Sequence, residues 1–451
     1  MNLKSDSRQV KPGDIFIALK TINNDGHKYV VDAIKNGAKA VIVEEGTYDV
    51  ETIIVPNTRE FLEGYLKKEY DYLINDLKII GVTGTNGKTT TCYLLYQALN
   101  KLGIKCGYIG TIGFYVDRKV RDLPNTTPDL LDIYSLFLES YEMGCKYIVM
   151  EVSSQALSFE RVNGIKFDYA VFTNLTEDHL DYHKTMEKYS LAKQKLFRNL
   201  KVNAKAIINI DSQYYKQFLL HENDNITYGF SDSDYKIIDY KVTNNFNDFI
   251  VNHNEDIEYK IKTLGKYNIY NMLVVIIILT ELKFNKEIIK EVVSSLDAPV
   301  GRMDIINYLN NKIIIDYAHT PDAVTNIINA VKEMNSNNIY TIIGCGGNRD
   351  KEKRPLMGSI ATALSSKVIF TSDNPRDEEP LSIIDDIVKG VTKDNYEIEI
   401  DREEAIKKGI QKLENNDILL LLGKGHETYQ IIGKDKIHFD DKEKVLKIIR
   451  R

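Results

Sequence analysis

No tryptophan occurs in the 451 residues, and cysteine appears only as Cys92, Cys106, Cys145 and Cys345. The cysteines lack metal-type spacing, and a reduced, cytoplasmic protein is the simple expectation. The missing tryptophan, beside abundant Asn, Ile, Lys and Tyr, reads as genome bias more than function. An excess of positive charge is also missing. Lys and Arg number 59 against 65 Asp and Glu, a formal net charge of −6. That argues against a general nucleic-acid binder, and any anionic ligand must be held by local basic groups. Long apolar runs are missing too. MLVVIIILTEL, Met272 to Leu282, is too short to span a bilayer and is expected as a buried helix, with no membrane insertion. The opening MNLKSDSRQVKPGD is polar and has no signal-peptide pattern. No low-complexity block suggests disorder, and no internal repeat is evident.

What is present is enough apolar material, 43%, for real cores, in a length that predicts two or three domains. The stretch KIIGVTGTNGKTTT, Lys78 to Thr91, reads as a buried strand, a glycine turn and the first turn of a helix. Gly84 and Gly87 let the backbone close around an anion, because neither carries a Cβ. The turn's N–H groups and the helix start both favour negative charge. Lys88 can reach terminal phosphate oxygens, and Thr89 can offer a hydroxyl to Mg²⁺. Val82 stands where the strict phosphate-loop spacing wants glycine, so the loop is a variant. Glycine turns between strand and helix are common, but Gly-Lys-Thr-Thr opening a helix makes a nucleotide site the better reading.

Three segments follow from the patterning. Residues 1–77 form a small α/β unit with strands at IFIAL (Ile15 to Leu19) and AVIVEE (Ala40 to Glu45) and a helix near Tyr29 to Asn36. Its polar turns DSR, PGD and NNDGH (Asn23 to His27) are either pocket-lining or ordinary loops. Residues 78–298 form a central unit in which KYIVMEVS, DYAVFTNL and AKAIINID alternate with helical patterns, the mark of a parallel α/β sheet. Between about 226 and 262 the pattern becomes alternating and predicts antiparallel hairpins on an edge, before helices near 266–282 and 285–296. Residues 299–451 carry a smaller, Rossmann-like parallel sheet with strands KIIIDYA, IYTIIGC, KVIFTS and DILLLLG. Each of those strands ends in a polar cluster: HTPD, GGNRDKEKRP, DNPRDEEP and GKGHE. Ligands of such sheets gather at the carboxyl ends of the strands.

That rule gives weight to Glu151, Ser153, Ser154, Asn174, Asp178 and His179. Thr89 and Glu151 are oxygen donors for magnesium; His179 would be a less usual nitrogen donor. Asp178, Asp181 and His183 are equally a solvated acidic turn. Tyr189, Lys193 and Phe197 share one helix face at i, i+4 spacing. Lys193 either snorkels from that stripe or is desolvated near other cations. In the second case its pKa falls, and a neutral amine there can take up CO₂ as a carbamate, an anionic oxygen ligand. Arg302 in GRMD, Arg349 in GGNRDKEKRP and Arg376 in DNPRDEEP are forked cations suited to phosphate or carboxylate, or else surface ion pairs.

Taken together, GTNGKTT, EVSS, NLTEDHLDYH, YxxAKxxLF, GKYNIYN, GRMD, DYAHTPD, GCGGNRDKEKRP, DNPR and GKGHE resemble the Mur ligase family, in its order and over essentially the whole chain. These are ATP-dependent amide ligases that build the peptidoglycan stem peptide. The pattern DSRxVxPGDxFxALxxxxxDGHxY and the stretch GCGGxRDxxKRP look like the branch that adds the third residue. The resemblance implies a substrate-binding N-terminal domain, an ATP-binding central domain and an amino-acid-binding C-terminal domain. It implies that Gly84, Thr85, Asn86, Gly87, Lys88, Thr89 and Thr90 hold ATP phosphates, with Asn268, Asn271, Arg302 and Asp316 also on the nucleotide. Thr89, Glu151, His179 and a carbamylated Lys193 would place Mg²⁺. Lys88, Lys193, Arg302 and His179 would form the catalytic group. Ser7, Asn125, Thr126, Thr127, Ser153, Arg161 and Lys193 would contact a UDP-muramoyl dipeptide. Arg349, Asp373, Asn374, Pro375, Arg376, Gly423 and Glu427 would hold the incoming diamino acid. DNPR resembles the version that takes meso-diaminopimelate, with lanthionine or lysine as alternatives. Phe159 stands where related enzymes often carry Gln, which removes one polar substrate contact. The implied partners are these small molecules alone, with a monomeric enzyme. A phosphate-loop ATPase or kinase that forms no amide is the rival from another class. A non-catalytic binding protein is disfavoured by the joint presence of Lys88, Glu151 and Lys193.

Overall fold

A computed structural model describes residues 2–20, 25–219, 224–243 and 245–450. Asn23 and Asn24 of the NNDGH stretch lie outside the described residues. The chain forms two compact units. The first comprises Met1–Gly81, Ile104–Ala170 and Lys195–Ala204, the second Val82–Gly103, Val171–Gln194 and Lys205–Arg451. The strands Lys78–Thr83, Phe167–Phe172 and Leu200–Asn209 have residues in both.

In the first unit, strands Leu3–Lys4, Ile15–Ile17, Ala40–Val43 and Glu51–Ile54 lie side by side in that order, all parallel. Phe16, Val41 and Val43 meet Val30 and Ala33 of the helix Val30–Lys35 in one apolar cluster. Asn57 caps the helix Thr58–Asp76 by accepting from Arg59 and Glu60 N–H. Further along, Cys106–Gly110 pairs in parallel with Tyr147–Glu151 and antiparallel with Gly113–Val116. Tyr147–Glu151 ends at Glu151, and Ser153 caps the short helix Ser154–Ser158.

In the second unit the helix Lys88–Lys101 opens directly after Gly87. The helix Lys266–Glu281 contains the apolar run, and Met272 to Leu279 are all buried, as expected for a core helix. Among the described residues no helix is long and apolar enough to cross a membrane. Strands Tyr235–Val242, Asn247–His253 and Glu255–Ile261 are antiparallel neighbours. The alternation near 226 does not mark a hairpin, however. Asp224–Gly229 is parallel to Leu200–Asn209 and to Tyr235–Val242. Period-2 alternation reports one buried face and is silent about the direction of a neighbouring strand.

The C-terminal sheet runs in the order Asp304–Tyr308, Asn311–Asp316, Ile418–Leu422, Ile339–Ile343, Lys367–Phe370, Tyr396–Ile398. It is parallel except at the Asp304–Tyr308 edge. Its strands are apolar on both faces because helices cover both. Ile314, Leu420, Leu422, Ile343 and Phe370 face the helices Pro321–Lys332, Lys353–Leu364 and Pro380–Val388. Ile313, Ile315, Leu419, Leu421 and Ile342 face Arg402–Gln411 and Asp441–Ile449. The carboxyl ends of the strands therefore bring Asp316, Gly344, Thr371 and Gly423 to one rim.

Beneath that rim lies a wholly buried ion pair. Arg402 donates through Nε to Asp441 Oδ1 at 2.8 Å and through Nη2 to Oδ2 at 2.6 Å. Nη2 also donates to the Leu422 carbonyl at 3.1 Å, next to Gly423. Breaking one side of such a pair strands a charge in the core. Asp441→Ala is expected to cost about 3–5 kcal/mol, seen as a lower urea midpoint at unchanged slope.

Candidate active site

The turn after Lys78–Thr83 folds as its glycines require. Gly84 and Gly87 have φ of +149° and +87°. A Cβ on Gly84 would collide with Thr173 Oγ1, and one on Gly87 would stand 2.6 Å from Asn271 Oδ1. Glycine is needed here for close approach as much as for backbone angle. The turn is held from the loop after Phe167–Phe172. Thr85 N–H donates to the Asn174 carbonyl and Asn86 N–H to Asn174 Oδ1, each at 2.9 Å. Thr173 Oγ1 donates to the Asn86 carbonyl at 2.6 Å. Thr85 Oγ1 reaches Tyr189 OH and the Thr176 carbonyl, both at 3.1 Å. The cradle is thus fixed by neighbours, and Thr89 and Thr90 lie buried in the first helical turn behind it.

Cations converge on this cradle. Lys88 Nζ donates to the Gly84 carbonyl at 2.9 Å and to Thr85 at 2.8 Å. Lys193 Nζ donates to the same Gly84 carbonyl at 2.8 Å and lies 4.5 Å from the Tyr189 ring centre. Lys193 is only 1% exposed, so the snorkelling alternative is corrected: burial of the 189–193–197 face encloses the amine. Burial, and then the charge of Lys88, push its pKa well below the usual lysine value.

His179 adopts a left-handed backbone, φ +56°, just before the short helix Leu180–His183. Its Nε2 lies 3.4 Å from Asp178 Oδ2. Burial lowers the His179 pKa despite Asp178, and Lys193, Lys88 and Lys353 lower it further, so the imidazole is neutral near pH 7. Asp178 and His183 are buried, which corrects the solvated-turn alternative for both; Asp181 does face water. Burial pushes Asp178 up, but His179, Lys353 and His319 together hold it below the usual carboxylate value. Lys353 Nζ stands 4.0 Å from Asp178 Oδ1. Burial, and Lys353 after it, press His319 down to about 3, and its Nδ1 contacts the Tyr317 carbonyl at 2.8 Å.

Arg302 forms no surface ion pair. Its guanidinium lies 4.6 Å from the Tyr317 ring centre, and Nη2 is 3.4 Å from Thr89 Oγ1. Its Nε is buried without a partner. Asp316 sits beneath it, accepting from Met303 and Ala318 N–H at 2.8 Å each, and thereby fixes the Arg302 turn. Asn271 accepts from Thr91 Oγ1 at 3.1 Å and donates to Asn268 Oδ1 at 3.0 Å. A cavity of about 730 Å³ opens beside Gly87 and Asn271, lined also by Asn86, Asn174, Tyr267 and Asp322.

A second cluster sits on the C-terminal rim. Asn374 Nδ2 donates to Glu427 Oε2 at 2.8 Å. A Cβ on Gly423, at φ +108°, would stand 2.5 Å from Asp373 Oδ2. Burial and Asp373 raise the Glu427 pKa, while Lys424 opposes them from 3.2 Å. Arg376 holds φ +54° and donates through Nη1 to the Gly347 carbonyl at 2.8 Å. Pro375 precedes it, and Arg349 is exposed on the facing loop. One cationic fork and a pair of acids thus share one rim.

The first unit gathers its own set. Glu151 is fully buried and accepts from Tyr108 OH at 2.6 Å, Thr111 N–H at 2.8 Å and Thr111 Oγ1 at 3.1 Å. Thr126 Oγ1 lies 3.0 Å from Thr111 Oγ1. Thr127 Oγ1 donates to the Glu151 carbonyl at 2.9 Å and accepts from Ser153 N–H at 3.1 Å. Arg161 donates to the Thr127 carbonyl and lies 5.5 Å from the Phe159 ring centre. Phe159 is therefore a platform for Arg161, and its carbonyl accepts from Arg59 at 2.9 Å. Asn125 is exposed beside this group, and Ser7 is buried in the N-terminal sheet region.

Sequence reasoning missed Tyr189 as a partner of Thr85, Lys353 as the neighbour of Asp178, Tyr317 as the bed of Arg302, and Lys424 beside Glu427. Each lies inside a motif already singled out: for Lys353, Tyr317 and Lys424 the signal was position after a strand, for Tyr189 its place on the Lys193 helix face; which neighbour each meets was not written there.

Comparison with known proteins adds three family matches. Residues 2–70 match the Mur ligase family catalytic domain, residues 82–279 the Mur ligase middle domain, and residues 301–425 the Mur ligase glutamate ligase domain. A relative from Clostridium perfringens, UDP-N-acetylmuramoyl-L-alanyl-D-glutamate–2,6-diaminopimelate ligase, is 42% identical across 99% of this chain and 94% of its own. The Fusobacterium nucleatum protein of the same name is 43% identical across 98% and 92%. A solved structure of a ligase of that name superposes with a TM-score of 0.68 at 32% identity, covering 99% of this chain and 94% of the other. A Thermotoga maritima MurF ligase in complex with ADP shares the fold, with a TM-score of 0.72 at 18% identity, covering 99% and 96%.

The glycine cradle sets the first prediction. Gly84→Ala brings a methyl against Thr173 and is expected to lower kcat/KM for ATP by about 100-fold, measured as phosphate release. Gly64→Ala, in the helix Thr58–Asp76 where a Cβ meets nothing within 4 Å, is expected to leave it unchanged.

Proposed function

This chain belongs to the Mur ligase family of ATP-dependent, amide-forming ligases, and from that premise we propose that it joins meso-2,6-diaminopimelate to the D-glutamate of UDP-N-acetylmuramoyl-L-alanyl-D-glutamate. The observation that carries the choice of amino acid is the C-terminal rim. An anchored guanidinium, Arg376, stands with Asp373, Asn374 and Glu427, as a substrate with a distal carboxylate and an ammonium requires. Gly423 leaves room beside Asp373, and Pro375 shapes the turn before Arg376. Arg349 is the second cation of the subsite. L-Lysine lacks the carboxylate for Arg376; lanthionine has it and is the nearer competitor. We assign the segments 1–77, 78–298 and 299–451 to the UDP-muramoyl substrate, ATP and the amino acid respectively, in a monomeric cytoplasmic enzyme without nucleic-acid partners.

Mur ligases use ATP and Mg²⁺. Among the described residues no cluster of three His, Cys, Asp or Glu forms an all-protein cage. That suits a cation held by few protein ligands and completed by substrate phosphates. Thr89, neutral His179 and a carbamylated Lys193 are the candidate ligands in the second unit, and Glu151 is the candidate from the first. Bound there, Mg²⁺ would neutralise charge on the transferring phosphoryl oxygens.

The chain's own groups do the rest. ATP phosphates take the N–H groups of Gly87 to Thr90 at the helix start, Gly84, Thr85 and Asn86 shape the turn around them, and Lys88 exchanges its bonds to the Gly84 and Thr85 carbonyls for phosphate oxygens. Asn268, Asn271, Arg302 and Asp316 define the nucleotide side, and the 730 Å³ cavity offers space for the nucleoside. Burial lowers the Lys193 pKa and so favours its neutral amine, which combines with CO₂ to give N–COO⁻ and a proton. Ser7, Asn125, Thr126, Thr127, Ser153 and Arg161 position the dipeptide substrate. Its D-glutamate carboxylate attacks the γ-phosphorus, ADP leaves, and an acyl phosphate forms. Lys88 and Arg302 stabilise the charge that builds on the phosphoryl oxygens. The neutral amine of diaminopimelate attacks the acyl carbon, inorganic phosphate leaves, and the amine loses its proton as the amide forms. Exclusion of water protects the acyl phosphate until then.

Three measurements test this. Phosphate release is expected only when the nucleotide dipeptide and meso-diaminopimelate are both present; equal release without either one sinks the ligase reading in favour of a simple ATPase. Lys193→Ala is expected to abolish activity nearly completely, with partial rescue by bicarbonate plus a short-chain acid. Arg376→Ala is expected to raise KM for diaminopimelate by about 10-fold or more with ATP KM unchanged, and an unchanged KM removes Arg376 from the subsite.

A further inference from the structure

Arg354 and Arg402 are the largest wholly buried side chains among the described residues, and nothing in the reaction above uses Arg354. It sits in the first turn of the helix Lys353–Leu364, where its guanidinium meets two loops at once. Nη1 donates to Glu378 Oε2 and Asp386 Oδ2, each at 3.0 Å. Nη2 donates to Glu378 Oε1 at 2.9 Å and to the Gly346 carbonyl at 3.3 Å. Glu378 in turn accepts from Asn348 N–H at 2.6 Å, and Lys351 Nζ lies 3.1 Å from its Oε2. Arg354 holds the Glu378 carboxyl down at about 2, so the pair stays charged throughout the working pH range.

The two loops so tied are those that carry Arg349 and Arg376. They are also sewn to each other. Gly347 N–H donates to the Asn374 carbonyl at 2.9 Å, and Asn348 Nδ2 donates to Asp377 Oδ2 at 2.7 Å. A Cβ on Gly347 would collide with the Pro375 carbonyl, and one on Gly346 would stand 2.9 Å from Arg376 Nη1. Arg376 takes its aim from the Gly347 carbonyl. Its left-handed backbone is clamped on the other side, N–H to the Ile431 carbonyl at 3.0 Å and carbonyl to Gly433 N–H at 2.7 Å. A guanidinium two bonded contacts away from Arg376 therefore decides where the Gly347 carbonyl stands.

We propose that the buried Arg354–Glu378 pair is a positioning strut that aims Arg376, and so sets the preference for an amino acid with a second carboxylate. It rests on the reading of the rim as the diamino-acid subsite. A two-pronged fork matters here. Lysine at 354 could keep the charge but could not reach both Glu378 oxygens, Asp386 and the Gly346 carbonyl from one plane.

The test compares R354M, R354K and E378Q, each alone and combined with R376A, by steady-state phosphate release. KM for meso-diaminopimelate is expected to rise by about 10-fold in R354M and E378Q and less in R354K, while KM for ATP and for the nucleotide dipeptide stays within about twofold. In the R376A background the same substitutions are expected to add nothing further, because the group they aim is gone. Losses that multiply in the double variants, or that fall equally on all three substrates, overturn the strut and leave only a general stabilising role. Should R354M prove insoluble, the R354K and R376A cycle decides the matter in the same way. Wild-type turnover with diaminopimelate in the same assay separates the two levels: its absence removes the subsite reading and the strut together, whereas its presence with multiplying losses removes the strut alone.

Discussion

Two ammonium groups compete for one oxygen at the centre of this molecule. Lys88 and Lys193 both donate to the Gly84 carbonyl, at 2.9 and 2.8 Å, in a site where Lys193 is almost wholly enclosed. Burial first, and then the like charge of Lys88, disfavour the protonated form of Lys193 and pull its pKa well below the usual lysine value. The glycine cradle, the Asn174 and Thr173 bonds that fix it, and the Tyr189 ring that covers the amine all follow from that one constraint.

The C-terminal rim solves a different problem with buried arginines. A parallel sheet covered on both faces leaves only strand ends for polar work, and its loops have no ladder to hold them. Arg402 anchors the Leu422 end through Asp441, and Arg354 anchors the Gly346 and Glu378 loops. Each holds a fully buried charge in place with most of its donors engaged, while Arg354 Nε and Arg402 Nη1 find no acceptor among the described residues. Arg376, between these anchored loops, donates to the Gly347 carbonyl and keeps a partly exposed side chain. Arg302 is aimed by other means, stacked on Tyr317 with Asp316 holding its turn.

Much of the site was legible in the chain. Gly84, Gly87, Lys88 and Thr89 announce an anion turn because strand, glycine spacing and helix start are local features. The strand-end clusters HTPD, GGNRDKEKRP, DNPRDEEP and GKGHE were placed at one rim by a general rule of parallel sheets, and the six-stranded order bears that out. Less legible were the choices between a solvated and a buried group. Spacing put Lys193 on an apolar helix face, but a face says nothing about how far its tip is enclosed. Asp178 and His183 look like a polar turn by composition and are buried beside Lys353 and Tyr189, contacts that come from other elements. The parallel pairing of Asp224–Gly229 was hidden for a similar reason, since alternation describes one face and no neighbour.

The amino-acid sequence by itself determined the main alternation of strands and helices, the glycine turn after Lys78–Thr83, the largely parallel C-terminal sheet and the family to which the chain belongs. Those depend on periodicity, glycine placement and short motifs, all of them local in the chain. Tertiary structure alone decided which charges are buried and what each fork meets: the enclosed amine of Lys193, the low-lying pKa of His319, the bed of Arg302 and the buried Arg354–Glu378 pair. The physical reason is range. Propensity and pattern act over a few residues, whereas desolvation and charge pairing sum over side chains brought together from up to a hundred or more residues apart, such as Lys193 and Gly84.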